Sequence, residues 1–130
     1  MPLTPVNPDS LAPPRGYSHG MKGAGELLFV AGQIGANREG RLVSNDLVGQ
    51  FAQALDNVLD VVWQAGGRPG DVARMAVYVT DTAEYRRRRQ ELGAAWRKRM
   101  GRHYPAMVLV EVEGLLVDEA LVEIEAVALL

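Results

Sequence analysis

The sequence predicts an α+β fold, an open sheet with two helices packed on one face. Three observations predict it. Strand-like apolar runs and two helical periodicities follow one another in the order β, β, (short β), α, β, α, β, β. The 130 residues amount to one domain, long enough to close a single core, and no linker or internal repeat divides them. A hydrophobic content of 48% with 23% charge is that of an ordinary globular chain and excludes a mainly disordered one.

Residues 1–14 hold five of the seven prolines, which fix φ and supply no amide donor, so this segment reads as a flexible, extended arm. The body begins near Arg15. Residues 26–34, ELLFVAGQI, form a compact apolar run punctuated by glycine and read as a buried strand. A turn over 36–40 leads to a short returning strand over 41–43. Ser44-Asn45-Asp46 supplies helix-capping side chains. Leu47, Phe51, Leu55, Val58 and Val62 then recur at helical spacing until Gly66-Gly67 stops the helix. Met75, Val77 and Val79 alternate in a strand over 72–80. Asp81-Thr82-Ala83-Glu84 is a capping box that opens a second helix running to about Met100, and strands follow over 106–112 and 121–129.

Composition narrows the chemistry. With no cysteine, thiol nucleophiles, disulfides and thiolate metal sites are ruled out. The three serines and two histidines form neither a nucleophile elbow nor an HExxH zinc motif. A metal site is not expected. No apolar stretch reaches the roughly 20 residues that cross a bilayer, and no signal peptide is visible, so a cytoplasmic protein without a membrane partner is the expectation. Eight of the fourteen basic residues lie between Arg86 and Arg102, while residues 104–130 carry six acids and no base. This uneven charge reads as a solvated helix face rather than a nucleic-acid groove, because the net charge is −2 and no nucleic-acid motif is present.

Several short motifs are collinear with one family. Gly16-Tyr17-Ser18 precedes Phe29-Val30-Ala31-Gly32-Gln33, and the first helix carries Gln50, Ala54-Leu55 and Asn57-Val58-Leu59. Ala65-Gly66, Asp71-Val72, Val77-Tyr78-Val79, Asp81, Pro105-Ala106 and Val122-Glu123-Ile124-Glu125-Ala126 follow in order. Over about residues 15–129 the chain resembles the RidA family of reactive intermediate deaminases, also called YjgF or L-PSP. That resemblance implies a chorismate-mutase-like fold with a six-stranded mixed sheet and two helices on one face. It also implies a homotrimer with a ligand cleft between neighbouring copies. Family enzymes hydrolyse enamines and imines to 2-keto acids and ammonia, with no metal and no organic cofactor. An exposed sheet face of Leu, Val and Met would otherwise be an aggregation hazard, which also favours a closed trimer.

The resemblance assigns residue roles. Glu123 is placed to handle a water near the reacting carbon, and Tyr17 to donate its hydroxyl or wall the cleft. Ala31, Gly32, Arg89 and Met107 are placed around the substrate, and His103, just before Tyr104-Pro105-Ala106, is expected at the cleft mouth. Three of these positions depart from the family pattern. Met107 stands where an arginine follows Pro-Ala and forks onto the substrate carboxylate, and a thioether cannot replace it. Ala31 stands in place of a serine, and Arg89 in place of an asparagine. In the second helix Tyr85, Arg89, Leu92 and Trp96 fall on one stripe, whereas Arg86, Arg87 and Arg97 belong to the exposed face. Arg89 therefore pairs with Glu123, binds an anionic ligand, or extends its head to solvent. Three functions follow. An imine deaminase with altered substrate anchoring and a non-catalytic small-molecule-binding trimer both stay open. An endoribonuclease is disfavoured by the charge and by the lack of a paired histidine.

Overall fold

The computed structural model describes residues 3–130. Among the described residues six strands form, divided between two sheets. Strands β3 (Leu27–Ile34), β4 (Val72–Val79), β5 (Ala106–Glu111) and β6 (Val122–Leu129) make one mixed sheet in the order β3-β6-β4-β5. Only the β4–β5 pair is parallel. Strands β1 (Thr4–Val6) and β2 (Gly20–Lys22) form a separate antiparallel ribbon. The expected single six-stranded sheet is thus four strands plus two. The short strand expected over 41–43 is one isolated bridge, Ala36 to Leu42.

Proline does not keep the N-terminal segment free. Pro5 stands opposite Met21 in the ribbon, where a two-stranded ladder tolerates a missing donor. Asn7 accepts the His19 backbone amide at 2.8 Å, and the His19 ring reaches the Ala12 carbonyl at 2.7 Å. Within the expected arm, residues 4–12 are therefore tied to the segment beside Tyr17, while residues 1 and 2 lie outside the described residues.

Helix α1 (Leu47–Gln64) starts at Asp46, whose carboxylate accepts the Val48 amide at 3.2 Å. It ends where Gly66 turns to φ 92°, a conformation that glycine reaches without a Cβ penalty. Its buried face of Phe51, Leu55, Val58 and Val62 packs on β3 and β6. The core is completed by Met75, Val77 and Val79 from β4 and by Val122, Ile124 and Ala126 from β6. Buried Gln50 is fully bonded. Its amide donates to the Ser44 and Glu119 carbonyls, both at 3.0 Å, and its oxygen accepts the Leu121 amide at 2.7 Å. These bonds hold Glu119 at φ 70° and lead the chain into β6.

The expected second helix is two helices, α2 (Thr82–Arg87) and α3 (Arg89–Met100), joined at Arg88 with φ −100° and ψ 16°. The local residues favour helix, so the joint is set by tertiary contacts. The Arg88 guanidinium bonds Asp46 at 2.6 and 3.1 Å and Glu91 at 2.7 and 3.0 Å, tying the start of α1 to the joint. These bonds hold the Asp46 and Glu91 carboxyls below their ordinary values of 3.8 and 4.5. Carboxyls lowered in the folded state stabilise it above their ordinary range, and that contribution fades as pH falls through the lowered values. Arg88→Met is expected to lower Tm at neutral pH, with the gap to wild type shrinking as pH falls below the ordinary carboxyl range. Melting curves across that range check it, and a gap constant with pH overturns it.

Candidate functional site

Strand register decides which face each side chain takes. Met107 pairs with Met75, a fully buried core residue, so both point to the helix side of the sheet. Glu123 lies between buried Val122 and Ile124 and pairs with Tyr78, so it points to the opposite, open face. The two expected halves of the site therefore sit on opposite faces of one sheet within a chain.

On the helix side a cavity of about 470 Å³ opens between α3 and the edge strand β5. Its volume is in the usual range of about 300–1,000 Å³ for small-molecule sites. Met107 and Leu109 contribute from β5, Phe51 from α1, and Tyr17 from the loop that precedes β2. The whole predicted stripe, Tyr85, Arg89, Leu92 and Trp96, lines it despite the break at Arg88. Aromatic rings fix its walls. Trp96 and Tyr104 stack at 6.0 Å with 7° between planes, and Phe51 meets Tyr85 edge-on at 6.4 Å. Burial raises the Tyr85 hydroxyl pKa, and the Arg89 charge works against that rise.

Three arginines rim the cavity, Arg15, Arg89 and Arg97, and among the described residues no carboxylate lines it. Among the described residues none of the three forms an ion pair, in contrast to Arg87, Arg88 and Arg99. Arg89 does not pair with Glu123 within the chain, because the sheet stands between them. Arg97 corrects the expectation that it belongs with Arg86 and Arg87. Gly93, one helical turn earlier, leaves the space its guanidinium occupies, since a Cβ there would lie 3.1 Å from the Arg97 Nη1. Glycine inside a helix costs about 1 kcal/mol relative to alanine, so a glycine four residues before an arginine was the available signal.

His103 is not part of the lining. Its Nε2 donates to the Val72 carbonyl at 2.7 Å, and its own carbonyl accepts the Trp96 indole N–H at 3.2 Å. It ties the loop before β5 to the start of β4, which corrects its expected place at the cleft mouth. Glu111 has a structural use too, since its carboxylate accepts the Thr82 amide at 2.8 Å and hydroxyl at 3.1 Å at the start of α2.

On the open face Glu123 lies against Gly32. The β3 ladder bulges between Val30 and Gln33, which brings the Gly32 backbone close to the carboxylate. A Cβ on Gly32 would stand 2.9 Å from the Glu123 Cδ. Ala31 is in the same bulge and exposed. Glu125 accepts a hydrogen bond from the Tyr78 hydroxyl, and that bond raises the Tyr78 pKa. Around these polar groups the face is apolar. Phe29 is 72% exposed with Leu27 beside it on β3, and Val108 and Val110 are exposed on β5 at the other edge of the sheet. Among the described residues no helix is long and apolar enough to cross a membrane, and no three His, Asp or Glu side chains cluster as a metal site would require.

The strand order and the helices on one face define the class: an α+β protein of the YjgF-type fold. The whole chain superposes on YyfB of Yersinia pestis, a Rid family protein of unknown function, with a TM-score of 0.88 at 33% identity and 100% coverage of both chains. The YjgF gene product of Escherichia coli superposes with a TM-score of 0.68 at 30% identity, covering 95% of this chain and 92% of that one. In sequence the chain is 35% identical over 113 residues to a RutC family protein of Pyrococcus horikoshii, spanning 86% of this chain and 85% of the relative. It is 33% identical over 107 residues to the 2-iminobutanoate/2-iminopropanoate deaminase of Escherichia coli, spanning 80% of each. The family described as Endoribonuclease L-PSP matches residues 7–130, and the chain belongs to this RidA/YjgF family.

Proposed function

We propose that the protein is an imine deaminase that works as a homotrimer, with its cleft between neighbouring copies and weak turnover of small 2-imino acids. One observation carries the reading. Tyr17 and Met107 meet on the helix side, Glu123 stands on the open face, and the exposed apolar residues of that face supply the surface on which copies meet. Across such an interface Glu123 of one copy approaches the cavity of the next.

The chemistry follows from those groups. Glu123 accepts a proton from water as the water oxygen attacks the imine carbon. Glu123 returns that proton to the nitrogen, then moves the carbinolamine hydroxyl proton to it as well, so that nitrogen leaves as ammonia and the oxygen closes to a carbonyl. Water and imine become ketone and ammonia, and no bound metal or organic cofactor is needed. Met107 supports a second reading, a binding trimer without catalysis, since it removes the usual carboxylate anchor.

Light scattering is expected to give about three chain masses, and Phe29→Asp is expected to give monomers, because burying an unpaired charge there opposes association. Ammonia and ketone release from freshly generated imines tests the chemistry. Glu123→Gln is expected to lower it by about 10²-fold or more. A stable wild-type monomer overturns the shared cleft. A trimer that releases no ammonia above background from any imine overturns catalysis and leaves the binding reading.

A further inference from the structure

The cavity on the helix side is built for a larger ligand than a three- or four-carbon acid. We propose that it takes an anionic ligand with an aromatic side chain, whose carboxylate is held by Arg89 and Arg97 of α3 rather than by position 107. This rests on the proposed function only in taking this cavity as the substrate half of the cleft; the binding itself requires no turnover.

Charge and shape both lead there. Arg89 and Arg97 extend from the same side of α3, eight residues apart, and among the described residues neither has an acid partner. Gly93 lies between them and leaves out the side chain that would push the Arg97 guanidinium away. In the same cavity the stacked Trp96 and Tyr104 rings and the Phe51–Tyr85 pair form flat apolar walls. An aromatic ring gains contact with those walls that a methyl or ethyl group cannot. Met107 fits the same picture. At the edge of the apolar space a thioether packs against a ring, whereas a guanidinium there would need its own anion. The carboxylate anchor has moved from the sheet to the helix.

Calorimetric titration of the full-length protein with phenylpyruvate, pyruvate and neutral phenylacetamide tests this. Phenylpyruvate is expected to bind at least about ten-fold more tightly than pyruvate, through ring burial, and than phenylacetamide, through the lost charge. Arg89→Gln and Arg97→Gln are each expected to weaken phenylpyruvate by about 10- to 100-fold. Both arginines are exposed, so neither change threatens folding. Arg87→Gln, outside the cavity and paired with Glu84, serves as the control and leaves affinity unchanged. Equal affinity for pyruvate and phenylpyruvate, or wild-type phenylpyruvate affinity in both variants, overturns the inference. Variants that loosen the assembly while probe binding stays unchanged also overturn it, because the arginines then serve a second copy. Loss of imine turnover with this binding pattern intact sinks the catalytic proposal alone.

Discussion

Met107→Arg is expected to raise kcat/KM for a small imino acid such as 2-iminopropanoate by about 10²- to 10³-fold. The side chain at 107 leaves β5 toward the cavity and is only half-buried, so a longer residue has room to extend. A guanidinium there forks onto a carboxylate through two charge-assisted hydrogen bonds, each contributing about 1.5–3 kcal/mol. The wild-type thioether contributes neither. Small substrates show the gain because they have no ring to lay against Trp96 and Tyr104, so each added bond to the carboxylate is a larger share of their binding. Coupled assays of ammonia and pyruvate release measure it. A variant no faster than wild type, with its oligomeric mass unchanged, shows that the anchor is not what limits these substrates.

A mixing experiment is expected to show where the two halves of the cleft come from. A chain carrying both Met107→Arg and Glu123→Gln has the fork without the proton acceptor and is expected to be nearly inactive. Wild type has the acceptor without the fork and is expected to be slow. Co-assembled in equal amounts, the two chains create clefts in which the introduced guanidinium of one copy faces the intact Glu123 of another. Random assortment gives that combination in about a quarter of the clefts, so the mixture is expected to recover about a quarter of the Met107→Arg rate. Opposite placement of positions 107 and 123 on the sheet is the reason. If the mixture shows no more than the average of its two components, each cleft belongs to a single chain.

Features carried by local chemistry were legible in the sequence. Asp46 and Gly66-Gly67 bound α1 as their residue types require, and the alternation of Met75, Val77 and Val79 marks the buried face of β4. The stripe from Tyr85 to Trp96 leads straight to the cavity wall. Features set by contacts distant in sequence were not legible. The joint at Arg88 has no breaker residue and depends on Asp46, forty-two positions away. The pairing of β1 with β2 runs through Pro5, which by itself argues against a strand. Arg97 reads as one more cation on a charged helix unless Gly93, four residues earlier, is given weight. His103 precedes the Pro-Ala motif in sequence, yet its ring turns toward the backbone of β4.

The contact between Gly32 and Glu123 has a consequence for how such a protein can change over generations. The two positions lie on neighbouring strands, ninety-one residues apart in the chain, and occupy one shared volume. A side chain at 32 meets the far end of the Glu123 side chain, so the carboxylate has to swing aside to make room. Neither position can drift alone without altering where the acid points. A lineage that gives up the glycine carries the acid in a new direction, so the residue at 32 sets where the carboxylate at 123 is aimed.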